Sequence, residues 1–576
     1  MEPTDRSQLG PEARARALND LDNDEFDVVI IGAGVTGAGC ALDAVTRGLR
    51  VGMIEQRDLA SGTSSRSSKL IHGGLRYLEQ LNFRLVMEAL RERGLLVRDL
   101  APHLVRPVRF LYPLQHRVWE RAYIGSGILL YDALAAMGRT NVLPYHRHLT
   151  RSGALERIPA LRKSSLVGGI EYSDGQVDDA RHTMFVARTA ARLGATIAPS
   201  VRATGFTKAG SRISGVEAVC LETGRRLHIK ARAVINATGV WTDRVEDLSG
   251  EDALRVTASK GIHIVVPKER IPAGSGMIIR TEKSVLFMVP WGRHWIIGTT
   301  DTEWNLDLAH PAASLTDIEY VLGHINSVLE EPIGHDDIEG VYAGLRPLLS
   351  GESDATSKLS REHAVVETMP GLVTVAGGKY TTYRVMAEDT IDFAARYLGG
   401  SIPKSTTRTT PLLGADGFAA RMNARHRIAS NHNVDVSLVE RMLWRYGTLV
   451  DDVLDLASQR PELGELLPGT NDHIAAEVVY AATHEGALHL DDVLTRRTRV
   501  SIETWDRGLA AAEAAAPLMA EILGWDADAI DRELAHYRAR VQAERESQTM
   551  PDDHTADAAR LGAPDVRVGM RTSEDD

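Results

Sequence analysis

The sequence contains only two cysteines in 576 residues, Cys40 and Cys220. That excludes a disulfide framework and any four-cysteine zinc site, and it suits a reducing cytoplasm. Positive charge is not in excess either: 66 Lys+Arg against 78 Asp+Glu give a net charge of −12. An acidic chain without a basic stripe is a poor fit to sequence-independent nucleic-acid binding. No apolar run reaches the roughly 20 residues that a bilayer-spanning helix requires. The most apolar stretch, Ile124 to Met137, contains Asp132 and reads as a buried helix, with a membrane-dipping helix as the alternative. Residues Met1 to Glu25 carry many charges and no apolar core, so no secretory signal is expected. The histidines lack metal-ligand spacing, with no His-Glu-x-x-His, and Gly-x-Ser-x-Gly is absent. No metal site is expected.

What is present is a globular composition, 43% hydrophobic and 25% charged, long enough for about three domains. Residues 1–24 and 546–576 lack hydrophobic periodicity and read as a flexible head and a flexible acidic tail. From about Pro403 the pattern turns helical, as in Ser437 to Tyr446 and Thr504 to Ile522, so 403–545 is expected to be a C-terminal helical domain. Before it, short apolar runs read as strands. Ile213 to Glu222 and Arg226 to Ile229 form a hairpin pattern leading into Ala233-Val-Ile-Asn-Ala-Thr-Gly239. Ile262 to Val266, Ser284 to Val289 and Trp295 to Gly298 read as sheet strands.

The strongest local signal is Asp27-Val-Val-Ile-Ile-Gly-Ala-Gly-Val-Thr-Gly37. A buried strand runs into Gly32, Gly34 and Gly37, a helix follows, and Arg50-Val-Gly-Met-Ile-Glu55 closes a β-α-β unit. This is a dinucleotide-binding fingerprint: Gly32 makes the turn, Gly34 admits a pyrophosphate, and Gly37 lets the helix pack close to its strand. The helix N-terminus favours the anion, and Glu55 is placed to accept from ribose hydroxyls. The unit alone does not separate FAD from NAD. The segment Ser61-Gly-Thr-Ser-Ser-Arg-Ser-Ser-Lys-Leu-Ile-His-Gly-Gly-Leu-Arg-Tyr77 and the distant Val234-Ile-Asn-Ala-Thr-Gly239 supply two further stretches around one extended cofactor, which favours FAD.

With these motifs the chain resembles the flavin-dependent (respiratory) sn-glycerol-3-phosphate dehydrogenases, over about Phe26 to Arg499. Further matching motifs are Glu171-Tyr-Ser-Asp174, Val177-Asp-Asp-Ala-Arg181, Lys260-Gly-Ile-His-Ile-Val-Val-Pro267, Ile297-Gly-Thr-Thr-Asp301, Gly344-Leu-Arg-Pro347, Gly377-Gly-Lys-Tyr-Thr-Thr-Tyr-Arg384, Asp491-Asp492 and Arg496-Arg497-Thr498. Gln176, often aromatic in the family, and Tyr380, often Leu, depart from the pattern. The resemblance implies an α/β fold of the glutathione-reductase or glycine-oxidase type. Its FAD domain would be discontinuous over 25–402, with an antiparallel-sheet substrate domain inserted mainly at 100–165 and 251–340, and a helical cap. It implies oxidation of sn-glycerol 3-phosphate to dihydroxyacetone phosphate, with electrons passed to membrane quinone. Peripheral association with the inner face of the cell membrane follows from that. The rival readings are an oxidase using O2 and a non-catalytic FAD-binding protein. The sequence leaves oligomeric state open, a homodimer included.

By the same resemblance, FAD would be held by Gly32, Gly34, Gly37, Glu55, Gln56, Thr63, Ser64, Ser67, Lys69, His72, Gly239, Gly378, Lys379 and Thr381. Arg346 and Arg361 would clamp the substrate phosphate, with Arg76, Tyr77 and Lys379 beside it. His263, on a predicted strand, would be the base for the C2 hydroxyl, with a pKa near neutrality; His72 is its rival. Lys379 and the helix that follows would stabilise negative charge on the reduced flavin.

Overall fold

A computed structural model describes residues 5–74, 82–116, 118–137, 142–251, 253–282, 285–349 and 362–569. The apolar run Val28 to Ile31 is buried on both faces of the strand Glu25–Ile31, as a parallel strand covered by helices must be. That strand lies between Val51–Glu55 and Arg226–Asn236. The order of the sheet is His363–Met369, Leu372–Gly377, Arg226–Asn236, Glu25–Ile31, Val51–Glu55, Thr196–Pro199. All pairings along this path are parallel except the first. The expected hairpin is present as Arg212–Cys220 against Arg226–Asn236, but its second arm runs unbroken into the sheet as one strand.

The helix Val35–Thr46 crosses this sheet after the glycine turn and packs on Tyr383–Ala394 and Asp179–Arg192. Gly32 takes φ +103°, and a Cβ at Gly37 would stand 1.9 Å from the Gly32 carbonyl oxygen. Only glycine therefore lets the helix start this close to its strand.

The second sheet has ten strands. Its spine, Val256–Pro267, is paired along one edge with Gly340–Leu349 and along the other with Thr302–Trp304 and His294–Gly298. Two of the expected boundaries move. Gly168–Val177 and, past its first residue, Gly340–Leu349 belong to this sheet although they fall outside 100–165 and 251–340, as does the short strand Leu70–Ile71. The sheet is also mixed, because Gly276–Arg280 runs parallel to Val105–Leu114 where two separate chain segments meet.

The C-terminal helices begin near Phe418–Asn423 and include Val436–Tyr446, Ala475–His484 and Leu509–Leu523. They are fixed to the cofactor domain by buried ion pairs. Arg497 grips Asp58 with two bonds of 2.6 and 2.7 Å, Arg181 holds Glu485 at 2.9 Å, and Arg499 holds Asp178 at 2.8 Å. Removing one member of such a pair strands a buried charge, at a cost of about 3–5 kcal/mol.

Both termini correct the sequence reading. Residues 1–24, expected to be flexible, contain the helix Pro11–Asn23, whose Ala17, Leu18 and Leu21 are buried against the parallel sheet. The tail expected to be flexible from 546 continues the helix Ala527–Ser547 and adds Asp553–Leu561. Asp553 pairs with buried Lys260 at 2.5 Å, and Arg567 with Asp492 at 2.9 Å. These segments look dispensable in sequence because each has one narrow apolar stripe or a few ionic anchors. Their value appears only once the receiving surface exists. Leu21 is fully buried, so Leu21→Ala should lower unfolding stability by about 2–5 kcal/mol, read as a shifted denaturant midpoint. A midpoint equal to wild type would restore the flexible-head reading.

The stretch Ile124 to Met137, expected to be a buried helix, is the larger, C-terminal part of the helix Trp119–Met137. Ile128, Tyr131 and Ala135 are buried, whereas Trp119 and Leu129 are each 59% exposed.

Candidate active site

Both sheets and the serine-rich loop enclose one cavity of about 890 Å³. At one end lie Gly32, Gly34, Glu55, Gln56 and Gly239. Glu55 is pinned by two backbone donors, the N–H of Ala33 at 2.8 Å and that of Arg57 at 2.9 Å. A carboxylate has further lone pairs to offer, so the same group ties the glycine turn to the second strand and faces the cavity. Burial pushes its pKa up, against the pull of the two N–H groups. Ser64 Oγ accepts from the Val35 N–H at 2.9 Å and would sit 3.2 Å from any Cβ on Gly34. The turn is therefore a cradle that side chains would fill, the shape a pyrophosphate requires.

The serine-rich loop is shaped by Asp179, at the start of the helix Asp179–Arg192. Its carboxylate accepts from the Ser67 N–H at 2.8 Å and from Ser67 Oγ at 2.7 Å, and it pairs with Lys69 at 2.7 Å. Lys69 is thus a correction to the cofactor-binding set. It is fully buried beneath the loop, donates to the Ser65 carbonyl at 2.6 Å, and does not line the cofactor cavity. Burial and the neighbouring Arg499 push its pKa down to about 8. Gly37 likewise does not reach the cavity; it makes the helix contact described above. Thr63, Ser64, Ser67, His72, Gly378, Lys379 and Thr381 do line it. His72 and Thr381 are joined reciprocally, His72 N–H to Thr381 Oγ1 and Thr381 Oγ1 to the His72 carbonyl, both at 3.2 Å. The substituted Tyr380 is held by its hydroxyl, which donates to the Asp179 carbonyl at 2.7 Å. Gln176 is buried and receives Arg106 Nε at 3.1 Å.

At the other end stand His263 and Arg346, on paired strands. His263 stacks on Tyr342 with ring centroids 4.7 Å apart, and Lys69 Nζ lies 4.9 Å from the other partner of this stack, the Tyr342 ring. His263 Nε2 bonds Ser68 Oγ at 2.9 Å, while its buried Nδ1 has no protein partner among the described residues. Burial, then the charges of Lys69 and Arg346, hold the imidazole well below its usual 6.5. The expected near-neutral value is corrected: the ring is neutral throughout the physiological range.

Arg346 Nη2 donates to Thr299 Oγ1 and to the Thr300 carbonyl, each at 3.1 Å, and Nη1 lies 3.4 Å from Asp301. A Cβ at Gly261 would stand 2.5 Å from Nη2, so the guanidinium folds back over Gly261, two residues from His263. Arg76, Tyr77 and Arg361 lie outside the described residues. The sequence reading missed Ser68, the Thr299–Asp301 cradle, and a buried group in which Asp174 pairs with Arg93 at 2.5 Å and accepts Tyr131 Oη at 2.8 Å. The first two were within quoted motifs. Arg93 and Tyr131 carried no local signal, because helix periodicity gives a buried arginine no distinguishing mark.

The fold and this cavity define an FAD-dependent oxidoreductase. The family model for FAD dependent oxidoreductases matches residues 27–384, and that for the C-terminal domain of alpha-glycerophosphate oxidase matches residues 405–530. Glycerol-3-phosphate dehydrogenase 2 of Mycobacterium tuberculosis is 54% identical over 561 residues, covering 97% of this chain and 95% of the relative. The mitochondrial glycerol-3-phosphate dehydrogenase of Homo sapiens is 36% identical over 552 residues, covering 91% and 74%. The solved glycerol-3-phosphate dehydrogenase of Bacillus halodurans, complexed with FAD, superposes with TM-score 0.77 at 28% identity, over 93% of this chain and 98% of that one. The chain belongs to the flavin-dependent glycerol-3-phosphate dehydrogenase family, as its motifs led one to expect, and its cofactor is FAD.

Glu55→Arg should lower the flavin content of the purified protein, read as the 450 to 280 nm absorbance ratio. The change removes the acceptor for two loop amides and puts a cation where a buried carboxylate stood. Wild-type flavin content would mean that the turn and the ribose are held by other groups.

Proposed function

We propose that the protein oxidises sn-glycerol 3-phosphate to dihydroxyacetone phosphate. The observation that carries this reading is the placing of His263 and Arg346 from adjacent strands, with Lys379, in the same cavity as the glycine cradle. FAD, when bound, supplies the hydride acceptor at flavin N5. Arg346, preset by Thr299 and Thr300, binds the phosphate dianion that an acidic chain would otherwise repel. His263 takes the C2 hydroxyl proton at Nδ1, which requires the tautomer whose Nε2–H donates to Ser68. Lys379 and the helix Tyr383–Ala394 direct positive potential toward the cofactor. The test is anaerobic addition of glycerol 3-phosphate to the yellow protein. Bleaching of the bound flavin is expected, with glycerol far less effective; no bleaching by glycerol 3-phosphate would defeat the reading.

For the electron acceptor we favour a membrane quinone over O2. No helix among the described residues is long and apolar enough to cross a membrane. Yet Tyr123 and Leu130, 48% and 39% exposed, both line the cofactor cavity and continue into exposed Trp119 and Leu129. An apolar surface around a cavity mouth suits a lipid-soluble acceptor reached from the inner face of the cell membrane. Reduced protein mixed with quinone-loaded vesicles should reoxidise faster than in aerated buffer. The reverse order, with peroxide formed, would make it an oxidase.

A further inference from the structure

A second, smaller cavity of about 90 Å³ lies where the serine-rich loop meets the last long helices. Only about three waters, or one tetrahedral oxyanion, would fill it. Six cationic side chains line it, and three of them have carboxylates of their own. Lys69 is paired with Asp179, Arg499 with Asp178, and Arg496 with Asp58, Asp491 and Asp492.

The other three, Arg66, Arg540 and Arg560, are differently placed. Arg66 donates to the Ala309 carbonyl at 3.1 Å, and Arg560 to the Arg540 carbonyl at 3.1 Å. Neither forms an ion pair among the described residues. Arg540 meets His310 Nε2 at 3.1 Å; its nearest carboxylate oxygen is 3.8 Å away on Asp491, which Arg496 already holds at 2.9 Å. Glu544, the remaining acid in the wall, forms no ion pair among the described residues. Arg540 and Arg560 are only 8% and 6% exposed. Burial and the neighbouring guanidinium groups push Arg66 down to about 9 and Arg560 to about 10, and hold His310 neutral, well below its usual range.

Guanidinium groups lose hydration on burial and recover it only from anions or well-placed acceptors. Here they converge, in an acidic protein, on a space of anion size. We infer that this cavity binds a tetrahedral oxyanion of the inorganic phosphate class, held by Arg66, Arg540 and Arg560. The site joins the cofactor domain to the helices Ala527–Ser547 and Asp553–Leu561. Arg66 lines both cavities, so the anion lies directly behind the loop that faces the cofactor. The inference does not depend on the proposed substrate.

The test is equilibrium dialysis of the FAD-loaded protein against labelled inorganic phosphate, at ionic strength held constant with gluconate. Two phosphates per chain are expected. Arg346→Gln should remove one, and Arg560→Gln should weaken the other at least tenfold while flavin content is kept. Anaerobic glycerol 3-phosphate should compete only for the first; if it competes for neither, the proposed substrate fails while the second site stands. A single phosphate, lost in Arg346→Gln and untouched in Arg560→Gln, would overturn the inference, as would displacement of the second by equimolar chloride. Should Arg560→Gln not fold, wild-type crystals grown with selenate decide the matter. An anomalous peak among Arg66, Arg540 and Arg560 is expected, and its absence overturns the site.

Discussion

His263→Ala is expected to slow reduction of the bound flavin by glycerol 3-phosphate by about 10²- to 10⁴-fold, the contribution of a positioned general base. Phosphate affinity should change little, because the proposed function assigns that contact to Arg346. The pH dependence follows from the position of the ring. A histidine held below 6.5 by burial and by Lys69 and Arg346 is already deprotonated at neutral pH. The wild-type reduction rate should therefore stay level from pH 8 down through 6.5 and fall only below it, as the ring gains its proton. In His263→Ala that acid limb should vanish. Ser68→Ala should give a smaller loss than His263→Ala, since it releases the tautomer without removing the base. Stopped-flow reduction across pH measures all three proteins. Wild-type rates and the same acid limb in His263→Ala would place the base elsewhere and leave His263 as a stacked strand residue.

The second large effect belongs to Arg346→Ala. Losing a charge-assisted contact costs roughly 1.5–3 kcal/mol, which is about 10- to 150-fold in KM at little change in kcat. The surroundings push toward the upper end. Asp301 lies 3.4 Å from the guanidinium and would be left facing the substrate phosphate unopposed. Changing Asp301 to Asn in the Arg346→Ala background should therefore recover part of the lost affinity. Glycerol, without a phosphate, should discriminate little between wild type and Arg346→Ala. If Arg346→Ala kept a strong preference for glycerol 3-phosphate over glycerol, the phosphate would have to be held elsewhere, with Lys379 the first candidate among the described residues.

The nucleotide end of the cavity was legible because its chemistry is local. A β-α-β unit places three glycines and an acid within thirty residues, and each has a backbone reason to be where it is. The proposed substrate end was reached through resemblance, since His263 and Arg346 are more than eighty positions apart and share no local pattern. Lys69 shows the limit of that route. Its place in a matched motif marked it as important, but the reason is the ion pair with Asp179 and the support of Tyr342 beneath His263.

The sequence by itself determined the parallel-sheet cofactor domain, the glycine cradle with Glu55 and the helical character beyond residue 403. These follow from short-range periodicity and turn chemistry, which act within a few residues. Only the tertiary structure decided what the terminal segments do, which face of Trp119–Met137 is left bare, how low His263 is held, and where six cations meet around a small cavity. Each of these depends on burial and on charges brought together from distant segments, and the desolvation that sets their energies exists only after the chain has closed around them.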